Sequence, residues 1–335
     1  MSLYWKINTH GDPLGTVRKL LSDIWDQLNL DSMLVSINGS ADKAITPQLI
    51  NNPEKLNLVN PFIPIMTSNS AKLIPGLMND NSDKHIGALL RPCESRALSK
   101  MIEFDSLPIG NLTSICSDCL GTYPVKDYKW RSDRKGSSAD LTRESLKFAR
   151  QGSILPYRYR SACQLCNSPE ADQADININV LGLPIRQYIL VHSNKSNFSD
   201  KLQLEKITHG LASDELISKH TLVSSKLLER HRRNMKRVSE SLADILPSNL
   251  ESLLDQFEDC KPCQECLLVC PICEINFPRK NVLGRYNQDD IIMWIFSCAG
   301  CGMCEQVCPN HIPLNTIFRH VKDVISSNDE TRIYI

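Results

Sequence analysis

Hydrophobic positions in the first two hundred residues switch repeatedly between the helix period and the strand period. Val17, Leu20, Leu21, Ile24, Trp25 and Leu28 recur at helical spacing and predict a helix over residues 16–28. Residues 31–37 read as a strand. Residues 45–66 are punctuated by proline and are expected to wrap the surface, and 68–78 read as a short helix. Residues 84–90 form an apolar strand that ends at Arg91-Pro92-Cys93-Glu94, followed by a helix over 95–102. Residues 111–115 are a further strand, ending at Cys116-Ser117-Asp118-Cys119. Residues 126–151 are polar, a loop plus a surface helix, and 187–192 are again a strand. This alternation predicts an α/β domain over residues 1–200 with a mixed or parallel sheet. In open α/β sheets ligands sit beyond the carboxyl ends of strands. Cys93 and the Cys116/Cys119 pair fall at such ends.

Residues 201–250 read as a helical linker, strongly charged over 214–246. Within it 230–237 is a basic cluster, most simply a solvated helix face and, as a sharper reading, a docking patch for an acidic partner or a cofactor phosphate. Pro247-Ser248 marks a helix start with Ser248 as N-cap.

Residues 251–335 carry the strongest signal. Cys260, Cys263, Cys266 and Cys270, followed by Pro271, repeat the spacing of Cys298, Cys301, Cys304 and Cys308, followed by Pro309. C-x2-C-x2-C-x3-C-P is the bacterial two-cluster ferredoxin spacing, in which the fourth cysteine ligates the other cluster. One [4Fe–4S] cluster is therefore assigned to Cys260, Cys263, Cys266 and Cys308, and a second to Cys298, Cys301, Cys304 and Cys270. The expected architecture here is an α+β two-cluster ferredoxin-like domain. Zinc sites use pairs of ligands rather than a triplet with a proline-flanked fourth. Cys273 lies outside the pattern and reads as a small buried hydrophobe.

Length and composition narrow the function classes. The 335 residues suit two or three domains. With 38 basic and 38 acidic residues and 6% aromatics, neither a charge field nor a stacking surface argues for nucleic acid. No signal peptide is expected from the first residues, and apolar stretches such as 291–296 are too short to span a bilayer. The expectation is a soluble cytoplasmic protein whose fourteen cysteines serve as metal ligands rather than disulfides. His85, His192 and His311 are each isolated, and a surface or satisfied core role is expected of them.

Cys93, Cys116, Cys119, Cys163 and Cys166 remain. Cys116/Cys119 and Cys163/Cys166 are C-x2-C pairs, whose spacing allows a zinc site, a further cluster or a redox dithiol.

Several stretches resemble the beta-subunit family of coenzyme F420 hydrogenases and dehydrogenases, the formate dehydrogenase type. They are Thr46-Pro-Gln-Leu-Ile50, Asn69-Ser-Ala-Lys-Leu73, Ile86 through Leu98 with its Arg-Pro-Cys-Glu, and Asp118-Cys-Leu-Gly-Thr-Tyr123. Tyr159-Arg-Ser-Ala-Cys-Gln-Leu-Cys166, Ala174-Asp-Ile176, Cys270-Pro-Ile-Cys273 and Cys301 through Pro309 extend the likeness. The resemblance implies a third cluster held by Cys93, Cys119, Cys163 and Cys166, with Cys116 as alternative ligand. It also implies FAD beside that cluster, where Arg91, Glu94 and Arg96 could hydrogen-bond a cofactor. No Gly-x-Gly-x-x-Gly or P-loop is present, so the flavin follows from the resemblance alone. Glu94 and Arg96 also read as helix-start electrostatics and a solvated face.

The implied function is an iron–sulfur electron-transfer subunit of a soluble multi-subunit oxidoreductase, rather than an independent enzyme. Its partners would be a catalytic dehydrogenase or heterodisulfide-reductase-like subunit, and its carriers F420, NAD(P)H or ferredoxin. One alternative is a flavin-dependent subunit that acts directly on F420 or NAD(P)H. A remote one is a zinc-stabilised binding module.

Overall fold

The computed structural model describes residues 3–37, 45–105, 109–135, 137–152, 158–194, 202–244, 246–247, 252–253, 263–279, 281–282 and 286–327. Seven strands form one mixed sheet: β1 (Tyr4–Asn8), β2 (Ser32–Ile37), β3 (Thr46–Ile50), β4 (Ile86–Leu90), β5 (Leu112–Ser117), β6 (Ile176–Asn179) and β7 (Tyr188–Ser193), in the order β1-β7-β6-β5-β4-β2-β3. The central strands β2, β4, β5 and β6 run parallel, while β3, β7 and β1 add antiparallel edges. Ile-Gly-Ala-Leu-Leu of β4 is buried at every position, as a strand covered on both faces must be.

Helix α1 (Pro13–Leu28) buries the six apolar residues that predicted it. The Asp12 carboxylate caps its start by accepting from the Gly15 N–H, and Asn29 ends it in the left-handed region. Helices α2 (Ile74–Asp80) and α3 (Pro92–Asp105) lie close to the expected segments. Residues 126–151, expected as a loop and one helix, hold two helices, α4 (Val125–Lys135) and α5 (Ser138–Lys147). Short helices α6 (Ser161–Gln164) and α7 (Leu204–Ile207) follow.

Three expectations change. Strand β6 reads Ile-Asn-Ile-Asn, and its buried asparagines hid it. Asn177 closes on both backbone groups of Ala174, and the Asn179 amide donates to Asp118 and to the Ala171 carbonyl. Strand β1 was not anticipated; its pairing with β7 makes it a strand. Residues 45–66 do not simply wrap the surface. They supply β3 and a run over 59–66 that is buried throughout.

Helix α8 (Asp214–Ser241) occupies the expected linker. Its first half belongs to the main core through Leu216 and Leu227. The second core lies in the C-terminal segment, around α9 (Glu265–Leu268), α10 (Gln288–Ser297), α11 (Met303–Val307) and α12 (Leu314–Ser327). Trp294 and Phe318 meet edge to face there at 4.6 Å. Among its described residues this segment is helical, and the strands of the expected α+β domain are not among them. The stretch between the two cysteine runs forms α10, capped by Asn287, because Ile291, Trp294 and Ile295 share a buried face. Pro247 is described, while Ser248 and the helix start assigned to it lie outside the described residues. Ile272 and Ala299 pack with Leu34, Ala88 and Met101, so the C-terminal segment is joined to one face of the sheet. Among the described residues no helix is long and apolar enough to cross a membrane.

Candidate metal centre

Parallel pairing of β4 with β5 brings two chain turns together at their carboxyl ends. Cys93 follows β4 in the first turn of α3, and Cys119 follows β5. The Glu94 carboxylate accepts from the Arg91 N–H at 2.8 Å and from the Ser70 N–H and hydroxyl at 2.9 Å each, which locks the turn that presents Cys93. The Arg91 guanidinium donates to the carbonyls of Ile63 (2.7 Å) and Ile65 (2.8 Å). Arg91 and Glu94 thus fix backbone, and with Ser36, Asn60 and Ser117 they border a small cleft at the strand ends.

Asp118 holds the second turn. Its carboxylate accepts from the N–H groups of Ala171, Val180 and Leu181 and from the Asn179 amide, between 2.7 and 3.0 Å. All four partners are donors, which favours the ionised form against the burial that raises its pKa. His220, buried on α8, faces the Leu181 carbonyl with Nδ1 (2.9 Å) and Glu170 with Nε2 (2.8 Å). Burial disfavours its charge, but Asp118 and Glu170 outweigh burial and raise its pKa to about 9. This imidazolium clamps α8 onto the loop that follows Cys166.

Cys93, Cys119, Cys163 and Cys166 all line one cavity of about 40 Å³. Cys301, from the second C-terminal run, lines it too. Cys116 does not: it lies within β5, buried against Ala171 and Ala174. Among the described residues, no three His, Cys, Asp or Glu side chains converge on a single ion position.

One cation, Arg160, lines the cavity, and Arg96 and Arg319 stand behind its cysteines. Burial would raise the Cys163 thiol, yet Arg160 and the Thr122 hydroxyl hold it below its ordinary value. Thr122 Oγ1 lies 3.2 Å from Cys163 Sγ, and Arg160 Nη2 lies 3.9 Å from it. Arg96, read either as a cofactor contact or as part of a solvated face, is half-buried. Its Nη2 stands 3.8 Å from Cys166 Sγ, and it donates to the carbonyls of Ser168 and Ala299. Arg319 donates to the Leu165 carbonyl. Burial pushes Cys93 well above its ordinary value, with Glu94 and Cys119 adding, and burial also raises Cys119. Loading metal here would release protons. The donor set is all sulfur, and the surrounding charge is positive with no carboxylate paired to Arg96 or Arg160 among the described residues. An anionic thiolate-bound cluster fits that environment.

Cys270, Cys298, Cys301 and Cys304 lie within one another's electrostatic reach. Burial raises Cys298 to about 12, whereas hydrogen bonds from Cys273 and Trp294 lower Cys270 to about 6. Trp294 Nε1 donates to Cys270 Sγ at 3.4 Å, and the Gly300 N–H donates to Cys298 Sγ at 3.4 Å. Cys273 is buried in the second core. Of the other set, Cys263 is exposed, Cys266 half-buried and Cys308 buried, while Cys260 lies outside the described residues. The sequence repeat is also a backbone repeat: Gln264 (φ 58°) and Gly302 (φ 67°), each between a second and a third cysteine, are both left-handed and each starts a short helix.

Reading the sequence alone missed Arg160, Thr122, Arg319 and Trp294. Only Arg160 carries a local signal, being three residues before Cys163. The three isolated histidines behave as expected where described: His85 bridges Leu28 and Thr113, His192 faces Asn179, and His311 is exposed.

Such a site defines a cysteine-rich α/β chain with a thiol-lined centre at the carboxyl edge of its sheet. The chain is 21% identical over 341 residues to the F420-dependent formate dehydrogenase subunit beta of Methanocaldococcus jannaschii, which covers 92% of this chain and 88% of the relative. Its fold is similar to a chain of the F420-reducing [NiFe] hydrogenase complex from Methanosarcina barkeri, with a TM-score of 0.53 and 10% identity, covering 71% of this chain and 91% of that one. No family model matches. The two likenesses bear out the resemblance to the coenzyme F420 hydrogenase/dehydrogenase beta-subunit family that the motifs carried.

Proposed function

We propose that this chain is an iron–sulfur electron-transfer subunit of a multi-subunit oxidoreductase. The observation that carries the reading is the single cavity whose wall holds Cys93, Cys119, Cys163 and Cys166 together with Cys301. An iron–sulfur cluster supplies one-electron transfer, and protein hydrogen bonds and burial set its potential. In this reading Cys93, Cys119, Cys163 and Cys166 hold one cluster, and Cys298, Cys301, Cys304 and Cys270 hold the next. Cys260, Cys263, Cys266 and Cys308 hold a third. Cys301 puts the first two sites in contact, and Cys270 and Cys308 tie the second to the third.

The relatives are subunits of formate dehydrogenase and hydrogenase systems, which supports a catalytic dehydrogenase or hydrogenase subunit as partner. A second reading, favoured by the relatives' dependence on F420, has this chain bind FAD and exchange hydride with F420 or NAD(P)H directly. Arg91 and Glu94 spend their polar atoms on Ser70 and on backbone, and the cleft beside them is too small to admit a flavin, so this reading places no flavin there.

Anaerobic purification followed by assay of iron, acid-labile sulfide, zinc and flavin tests these readings. The relay predicts about twelve irons per chain, four for each cluster. Two clusters' worth of iron with one zinc would reassign the upstream cysteines to zinc, and little iron with several zincs would sink the relay. Bound flavin that bleaches on adding reduced F420 or NAD(P)H would establish the second reading.

A further inference from the structure

Arg160 sits between the two cysteine sets. Its side chain is buried, with the residue 6% exposed. On one side Nη2 lies 3.9 Å from Cys163 Sγ and 3.3 Å from Met66 Sδ. On the other, Nη1 lies 3.5 Å from Met303 Sδ, inside the Cys301–Cys304 loop, and 3.5 Å from Gln306 Oε1. Nε donates to Thr122 Oγ1 at 2.9 Å, and that hydroxyl touches Cys163 Sγ. The thiols acting on this guanidinium belong to both sets: Cys163 and Cys93 from the α/β part, Cys301 from the C-terminal part.

What the guanidinium lacks is a carboxylate. Among the described residues none pairs with it within 4 Å. Glu305, which feels its charge, is engaged by the Ser161 hydroxyl and by the Asn315 N–H at 2.8 Å. Thioether sulfur is a weak acceptor, so two methionines do not offset a buried positive charge. Burying a charge is costly unless opposite charge accompanies it. The thiolates nearest the guanidinium supply opposite charge at closer range, in whatever metal-bound form they take.

We propose that Arg160 is an electrostatic bridge between two cluster sites, stabilising the electron on either one and so raising both reduction potentials together. The idea rests on the relay reading above. Arginine stays protonated throughout, so its contribution is charge alone and no proton moves with the electron. Its backbone adds placement, because the Arg160 carbonyl accepts from the Cys163 and Gln164 N–H groups at the start of α6.

The test is a redox titration of the cluster-loaded full chain, followed by electron paramagnetic resonance, with iron counted in the same samples. Arg160→Gln should keep wild-type iron and shift the oxidised-to-reduced ratio at least tenfold at both clusters, which is 59 mV per one-electron couple, towards lower potential. Arg160→Lys should restore most of the shift. If Arg160→Gln does not load iron, Gln306→Glu replaces it. That variant places a carboxylate beside Nη1, cancels the charge in place, and should lower both potentials. Unchanged potentials at full iron content, or a shift at one cluster alone, overturn the bridge. A wild-type chain with only two clusters removes the upstream cluster on which the bridge rests, and the iron count tells that failure from a failure of the bridge.

Discussion

Gly302 offers the sharpest test of how the two cysteine sets are brought together. Its φ is 67°, and a Cβ built on it would stand 2.3 Å from the Ala162 Cβ, against ~3.5–4.0 Å for carbons in contact. Gly302→Ala therefore incurs two costs. Holding alanine in the left-handed region costs about 1–2 kcal/mol, and relieving an overlap of roughly 1 Å costs about 1–3 kcal/mol as overpacking. The sum is about 2–5 kcal/mol. Ala162→Gly removes the opposing methyl and on its own costs about 1 kcal/mol, for a glycine in a helix. Independent effects would put the double variant at about 3–6 kcal/mol. A true collision makes it about 1–3 kcal/mol better than additive, because the overpacking share vanishes. The assay is anaerobic thermal unfolding of all four cluster-loaded proteins at one scan rate, since metal-loaded chains commonly unfold irreversibly. At ~2–4 °C per kcal/mol the single variant should melt roughly 4–20 °C lower, and the double should recover part of that. Additive losses, or a Gly302→Ala midpoint equal to wild type, would refute close docking of the Cys301 loop on α6.

Serine at Cys93 or Cys163 should remove about one cluster's iron, about a third of the total, whereas Cys116→Ser should leave iron unchanged; iron per chain decides it. His220 should make the fold alkali-sensitive. Its pKa rises from 6.5 to about 9 on folding, so its contribution, roughly 3 kcal/mol at most, is complete below pH 6.5 and lost as pH rises through 9. Thermal midpoints against pH should show that loss, and His220→Gln should flatten it. His192 runs the other way. Burial lowers it to about 4, so stability should fall as pH drops from 6.5 towards 4, and His192→Asn should soften that acid limb. Stripping iron with a chelator should open the C-terminal segment to proteolysis around residues 263–310 while the sheet domain stays resistant, because that segment's small core is built around the cysteines.

Elements with one dominant period were legible. Helix α1 and strand β4 each show a clean apolar pattern, and both formed where expected. Strand β6 was not legible, because its two asparagines look like loop residues until Asp118 and Ala174 satisfy them. The basic cluster at 230–237 was half legible. Arg232, Arg233, Lys236 and Arg237 are solvated, as a charged helix face should be, but His231 turns inward and bonds the Cys166 carbonyl. Arg91 and Glu94, read as candidate cofactor contacts, hold backbone.

The sequence by itself determined which side chains are offered for chemistry. Two cysteine runs share one spacing, and the left-handed turns at Gln264 and Gly302 repeat a local geometry in the backbone. Such information is local, carried by a few bonds, and survives without knowledge of the fold. Only the tertiary structure decided which upstream cysteines face one another and what lies between the sets. Cys93 comes from the first turn of α3, Cys119 from the turn after β5 and Cys163 from α6, so strand register and packing, not spacing, bring them to one wall. The same packing lowers Gly302 onto Ala162 and leaves Arg160 between sulfurs of both sets. A buried charge takes its meaning from what surrounds it, and those surroundings are assembled from residues more than a hundred positions apart.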